Sequence, residues 1–166
     1  MKPKQPTLVV IDMQVEFIDK YRERLEDLDE SIEMINYAID TFRRSNFPII
    51  FVKDIENRQA TDHEAAIIPQ LKFVSGDLIA HKVHGNSFRS EEFLKLIKDL
   101  ESDFFVFCGF KSEGCVLATA MGANDQDLSH CILRGSILSP DKEKTRFVES
   151  LNPMISYELL PLLLES

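Results

Sequence analysis

An α/β fold, with a parallel sheet covered by helices on both faces, is what this sequence predicts, and three observations predict it. Unbroken β-branched and apolar runs recur, as in Thr7-Leu8-Val9-Val10-Ile11, Ile49-Ile50-Phe51-Val52 and Phe104-Phe105-Val106-Phe107-Cys108, and strands buried on both faces read this way. Segments of helical period lie between them. Strands that alternate with helices imply right-handed crossovers and therefore a parallel sheet.

The elements follow in order. Residues 7–11 are strand one. Leu25, Leu28, Ile32, Ile35, Ile39 and Phe42 recur at steps of three and four, the apolar stripe of an amphipathic helix, which Asn46-Phe47-Pro48 breaks. Residues 49–52 are strand two. Residues 54–70 are polar, end at Pro69 and read as a loop. A weaker third strand runs near Leu78 to Val83, and Gly85-Asn86-Ser87 is a turn. Ser90-Glu91-Glu92 starts a helix, with a hydroxyl cap and an acidic first turn, and Phe93, Leu94, Ile97 and Leu100 form its buried face. Residues 104–108 are strand four, ending at Gly109. Residues 115–124 form a helix rich in small residues (Ala118, Ala120, Gly122, Ala123), which lets it sit close to a sheet. Cys131-Ile132-Leu133 is strand five, residues 141–151 a helix, Met154-Ile155 a short sixth strand, and Ser156 the cap of a last helix over 157–164.

At 166 residues, with no internal repeat, low-complexity tract or linker, the chain is expected to form one domain over 1–166, since domains cluster near about 100–150 residues. It carries 19 Lys plus Arg against 28 Asp plus Glu, a net charge of −9. That balance argues against nucleic acid, whose phosphates demand a basic face, and against anionic membrane surfaces. Cys108, Cys115 and Cys131 cannot all pair within one chain. The start, Met1-Lys2-Pro3-Lys4-Gln5-Pro6, enters an apolar run that Asp12 interrupts, unlike a secretory core, and no stretch approaches the ~18 apolar residues of a membrane span. The expectation is a reduced, soluble, cytoplasmic protein.

In an open α/β sheet, ligands bind beyond the carboxyl ends of the strands, at the topological switch point. Three reactive residues are expected there. Asp12 ends strand one, where a carboxylate is partly buried unless it faces a cleft; the plain alternative is a turn cap. Cys115 falls at the expected start of a helix, where the dipole and free N–H groups favour a thiolate and could cradle an oxyanion; the plain alternative is a buried structural thiol, which Cys108 and Cys131 fit well. Lys82 ends strand three, where an ammonium could stabilise a thiolate; the plain alternative is a solvated lysine. Nothing resembles a nucleotide-binding glycine motif. His63, His81, His84 and His130 show no convergent spacing and there is no Cys-x-x-Cys pair, so no metal and no cofactor are expected.

Three segments together resemble one family. Ile11-Asp12-Met13-Gln14-Val15-Glu16-Phe17 is similar to its D-x-Q-x-x-F opening. Lys82 through Phe88 resembles its K-x5-F segment. Gly109 through Val116, which holds Ser112 and Cys115-Val116, resembles its glycine, Thr or Ser, Cys-Val signature. The family is the isochorismatase-like cysteine hydrolases, among them nicotinamidases, N-carbamoylsarcosine amidases, ureidoacrylate-type amidohydrolases and isochorismatases.

The resemblance implies a three-layer α/β/α fold whose six-stranded parallel sheet has the order 3-2-1-4-5-6, making Asp12 and Cys115 neighbours. It implies Asp12, Lys82 and Cys115 as a catalytic triad, and the backbone N–H groups of Lys111 and Cys115 as an oxyanion hole. It also implies a cis peptide between Phe110 and Lys111, and self-association as a homodimer or homotetramer. Ile137-Leu138 beyond strand five and the Leu-rich stretch over 159–164 are the sequence's own hint of a subunit contact. Gln14, Phe17, His84, Phe88 and Phe110 are expected to line a substrate pocket. Lys111, with Lys82, is expected to make the site locally positive, or else to point to solvent. Nicotinamidases of the family hold zinc with an Asp-x-His pair after strand two; here Glu56 stands where that His would be, which disfavours that activity.

The expected function is therefore hydrolysis of a C–N bond in a small amide, ureido or carbamoyl compound through Cys115. The alternatives are a vinyl-ether hydrolase with Asp12 as general acid, and a non-catalytic binding or assembly module with a relic site.

Overall fold

The structure is a computed structural model and describes residues 5–165; residues 1–4 of the N-terminal segment considered above lie outside the described residues. Six parallel strands form one sheet: β1 Pro6–Ile11, β2 Ile49–Asp54, β3 Leu78–Lys82, β4 Phe104–Phe110, β5 Ser129–Leu138 and β6 Met154–Ile155, in the order 3-2-1-4-5-6. The helices are α1 Val15–Tyr21, α2 Leu28–Arg44, α3 Glu91–Asp99, α4 Leu117–Asp125, α5 Lys142–Leu151 and α6 Leu160–Leu164.

Because side chains alternate across a strand, each central strand feeds two cores. Leu8, Val10, Phe51, Val106 and Cys108 pack with α2, α6 and the Val15 and Ile18 side of α1. Val9, Ile11, Ile50, Phe105 and Phe107 pack with Phe93 of α3, Ala120 and Ala123 of α4, and Val148 of α5. Both faces are therefore apolar in the middle of the sheet, and burying them accounts for the continuous apolar runs in the sequence. Among the described residues no helix is long and apolar enough to cross a membrane.

Three elements differ from expectation. α1 was not foreseen: it has only seven residues, and its Val15, Ile18 and Tyr21 repeat gives one short turn of apolar period. β5 extends well past Leu133. Between the pairs Phe107–Ile132 and Gly109–Ile137, Cys108 alone faces residues 133–136, and Gly135 takes φ +74° in that bulge. Ile137 and Leu138 are thus strand residues, 3% exposed, and offer no surface to a subunit. Ser156 makes no side-chain cap; a 3-10 turn at Tyr157–Leu159 leads into α6 instead.

Candidate active site

The switch point lies between β1 and β4, whose ends are paired at Ile11 and Gly109. Gly109 takes φ +116°, and a Cβ on it would meet the Ile11 carbonyl oxygen at 2.2 Å. Only glycine permits this approach. The peptide that follows, Phe110–Lys111, is cis. Across the gap Asp12 takes φ +49°, a left-handed conformation that Asp tolerates better than most residues. Its N–H still donates to the Val52 carbonyl at 3.0 Å.

Cys115 does not begin a regular helix. It lies in a wide π-type turn, Ser112–Val116, ahead of α4, with the Lys111 carbonyl accepting from the Gly114 and Val116 N–H groups at 3.0 and 3.2 Å. A loop after β3 fixes α4 from the other side. The Thr119 hydroxyl accepts from the Ser87 N–H at 3.1 Å, and Gly122 leaves room for the Asn86 side chain, which a Cβ there would meet at 2.3 Å. Small residues in α4 thus permit close docking against the Lys82 loop as well as the sheet.

Asp12, Lys82 and Cys115 converge. The Lys82 Nζ is 2.8 Å from Asp12 Oδ2 and donates to Cys115 Sγ at 3.4 Å. A fourth group joins them: Nζ also donates to Asp54 Oδ2 at 3.0 Å. Two hydrogen bonds and one close ion pair thus surround an ammonium whose side chain is 1% exposed. Asp54 is not among the expected site residues; it is the last residue of β2, as Asp12 is the first after β1, and both strand ends meet at the site.

The electrostatics correct one expectation. Burial pushes the Cys115 thiol up to about 12, the charge of Asp12 adds to that, and Lys82 opposes it. Cys115 therefore rests as a thiol. Burial also raises Asp12, to about 6, against the pull of Lys82. Asp12 is ionised at neutral pH, takes no hydrogen bond from a backbone amide or hydroxyl among the described residues, and has the thiol within 4.8 Å. Burial works against the charge of Lys82, but Asp12, Cys115 and Asp54 together hold its pKa above the ordinary range. Nor is the site positive: Asp12 and Asp54 outnumber Lys82, and the Lys111 ammonium pairs with Glu113 at 3.0 Å and lies 5.8 Å from the Tyr21 ring centre.

The other expected residues part company. Gln14 is fully buried and spends its amide on the backbone: Nε2 donates to the Asp54 carbonyl at 3.0 Å and Oε1 accepts the Asp54 N–H at 2.7 Å. It cannot face a substrate. Phe88 is a core residue, edge-on to Phe93 and Phe105. Phe110 is buried, 4% exposed, between Phe17 and Tyr21; Phe17 is half-buried, and His84 is exposed beyond β3.

Asp12, Asp54 and Cys115 bring possible metal-ligating atoms within 4.8 Å of one another. The Lys82 ammonium stands 2.8–3.4 Å from all three, so a fixed charge already fills the place that a cation would need. None of the histidines joins them among the described residues: His81 pairs with Glu92, His130 is buried against Asn152, and His63 and His84 are exposed.

The sequence of residues 6–151 matches the isochorismatase domain family. No curated protein matches the chain in sequence. Several solved structures share its fold. An isochorismatase from Pseudomonas putida is 20% identical over 94% of this chain and 90% of its own, with a TM-score of 0.79. A cysteine hydrolase from Pseudomonas syringae pv. phaseolicola is 13% identical over 96% and 92%, with a TM-score of 0.84. An N-carbamoylsarcosine amidase from Thermoplasma acidophilum is 19% identical over 92% and 95%, with a TM-score of 0.73. These structures share the sheet and its helices, while the family match runs from β1 through α5 and includes Asp12, Lys82 and Cys115: the chain belongs to the isochorismatase family of hydrolases.

Proposed function

We propose that this hydrolase cleaves the C–N bond of a small amide, ureido or carbamoyl compound through a thioester-type intermediate on Cys115. The observation that carries the reading is the convergence of Asp12, Lys82 and Cys115 on one buried ammonium at the switch point. Asp12 takes the thiol proton as sulfur attacks the carbonyl carbon, and a C–S bond forms while the carbonyl π pair moves to oxygen. The N–H groups of Lys111 and Cys115 receive that oxyanion. Protonated Asp12 gives its proton to the leaving nitrogen and the C–N bond breaks. Asp12 then deprotonates a water that attacks the thioester carbon, the C–S bond breaks, and the proton returns to sulfur.

A carboxyl group near 6 suits both steps, since it is ionised at neutral pH yet accepts a proton readily. A thiol at about 12 needs such a base beside it. Phe17, half-buried, and His84, exposed beyond β3, are the two side chains we propose to meet substrate.

The test is mass spectrometry of the full chain incubated with a panel of small amides, ureas and carbamoyl compounds. An acyl or carbamoyl adduct on Cys115 that decays with product release is expected, and Cys115→Ala loses both adduct and turnover. A vinyl-ether hydrolase would keep turnover in Cys115→Ala and lose it in Asp12→Asn. A relic site would form no adduct.

A further inference from the structure

Lys82 needs a counter-charge at every stage, because an ammonium out of water is stable only when paired. At rest it has two carboxylates, Asp12 and Asp54. When the thiol proton moves to Asp12, the carboxyl becomes neutral and the thiolate takes over beside the ammonium. When sulfur bonds to carbon, its charge passes to the carbonyl oxygen and the sulfur is neutral too. At that stage Asp54 is the one anion in contact with Lys82 among the described residues.

Asp54 is held for such a task. Gln14, itself fully buried, brackets its backbone at 2.7 and 3.0 Å, and its Oδ1 accepts the Glu56 N–H at 2.8 Å. The remaining oxygen aims at Lys82. The titratable groups facing Asp54 are Lys82 from β3, Asp12 just after β1 and Cys115 from the turn after β4. Glu16 and Arg58 line the same hollow of about 430 Å³ beside it.

We propose that Asp54 is a positioning residue for this reaction: its carboxylate holds the Lys82 ammonium in place when Asp12 and Cys115 have both become neutral. The inference rests on Cys115 being the nucleophile. It explains why Asp54 is built into the cluster, and why the Gln14 amide brackets the Asp54 backbone from both sides. The charge of Asp54 also strengthens the hold of Asp12 on a proton, which gives the residue a signature of its own.

The experiment is the pH profile of Cys115 alkylation by iodoacetamide, read by mass spectrometry on the full chain, for the wild type, Asp54→Asn and Glu56→Gln. Alkylation passes through the same neutral-sulfur, neutral-Asp12 stage and needs no known substrate. For Asp54→Asn the midpoint is expected to fall by about one pH unit, since one carboxylate charge no longer opposes ionisation of its neighbours. The plateau rate is expected to fall about tenfold, since the ammonium loses its remaining counter-charge as sulfur becomes neutral. Glu56→Gln, which removes an exposed charge two residues away, leaves both unchanged. Asp54→Ser repeats the measurement if thermal melts show that the amide disturbs folding. A wild-type profile of an ordinary thiol overturns the nucleophile reading and this proposal with it. A wild type that alkylates at low pH, with an Asp54→Asn profile that overlays it, overturns this proposal alone. An equal shift from Glu56→Gln does so too, because the effect would then be distant charge and not the grip on Lys82.

Discussion

Around Cys108, in the middle of β4, the surroundings are apolar: the side chain is fully buried, its thiol donates to the Val9 carbonyl at 3.6 Å, and Val10 and Val106 pack in the same core. Around Cys115, past the end of the same strand, two carboxylates and an ammonium are buried together. Burial pushes both thiols well above their ordinary value. What separates them is a base. Cys115 can pass its proton to Asp12 and leave its charge beside Lys82, whereas Cys108 has no acceptor but a carbonyl among the described residues. Seven residues and one tight glycine thus divide an inert core thiol from a candidate nucleophile. The difference teaches that reactivity here comes from a paired proton acceptor and not from a low resting pKa.

The sharpest way to break that comparison is to remove the chemistry on one side. Cys115→Ala and Asp12→Asn are each expected to lower turnover about a thousandfold or more in steady-state assays, while Cys108→Ala stays within a few-fold. A second test asks the thiols directly. In native protein, iodoacetamide is expected to modify Cys115 at least about a hundredfold faster than Cys108 or Cys131, with the difference vanishing in denaturant, because only Cys115 is both partly exposed and next to a base. Peptide mapping reads this out.

The boundary itself can be tested. Gly109→Ala is expected to cost about 3 kcal/mol or more in urea unfolding, since its Cβ meets the Ile11 oxygen and its φ is closed to other residues. The smallest effect belongs to the quiet side. Cys108→Ala is expected to cost about 1–2 kcal/mol, the loss of one buried sulfur with a small void, again from urea unfolding.

Much of this was legible in the residues, and the reasons are physical. Runs of β-branched residues mark strands buried on both faces, so β1, β2 and β4 could be found, and an ionisable residue directly after such a run marks a strand end, so Asp12 could be found. Asp54 lies two residues past its apolar run, behind Lys53 and at the head of a polar stretch, so its place at the end of β2 is not legible in the same way. Gln14 and Phe88 lie in motifs that carry the family resemblance, but a motif does not say which way a side chain faces. Gln14 turns inward to satisfy the backbone at the end of β2, and Phe88 turns into the aromatic core under α3. Lys111 stands out as a cation beside the nucleophile, whereas nothing in the sequence says that Glu113, two residues on, pairs with it. The bulge that lengthens β5 depends on pairing with β4, which no local pattern encodes.

The central claim is that Asp12 and Cys115 share one proton between them under the charge of Lys82. The most direct measurement is the pH dependence of Cys115 alkylation in the wild type and in Asp12→Asn. If the claim holds, the wild type alkylates with a midpoint near 6, where Asp12 loses its proton. The proton count is the same whether the remaining proton sits on oxygen or sulfur. Asp12→Asn then moves the midpoint up by at least about two units, into or above the ordinary thiol range. A wild-type midpoint near the ordinary thiol value of about 8.5, unchanged in Asp12→Asn, would contradict it.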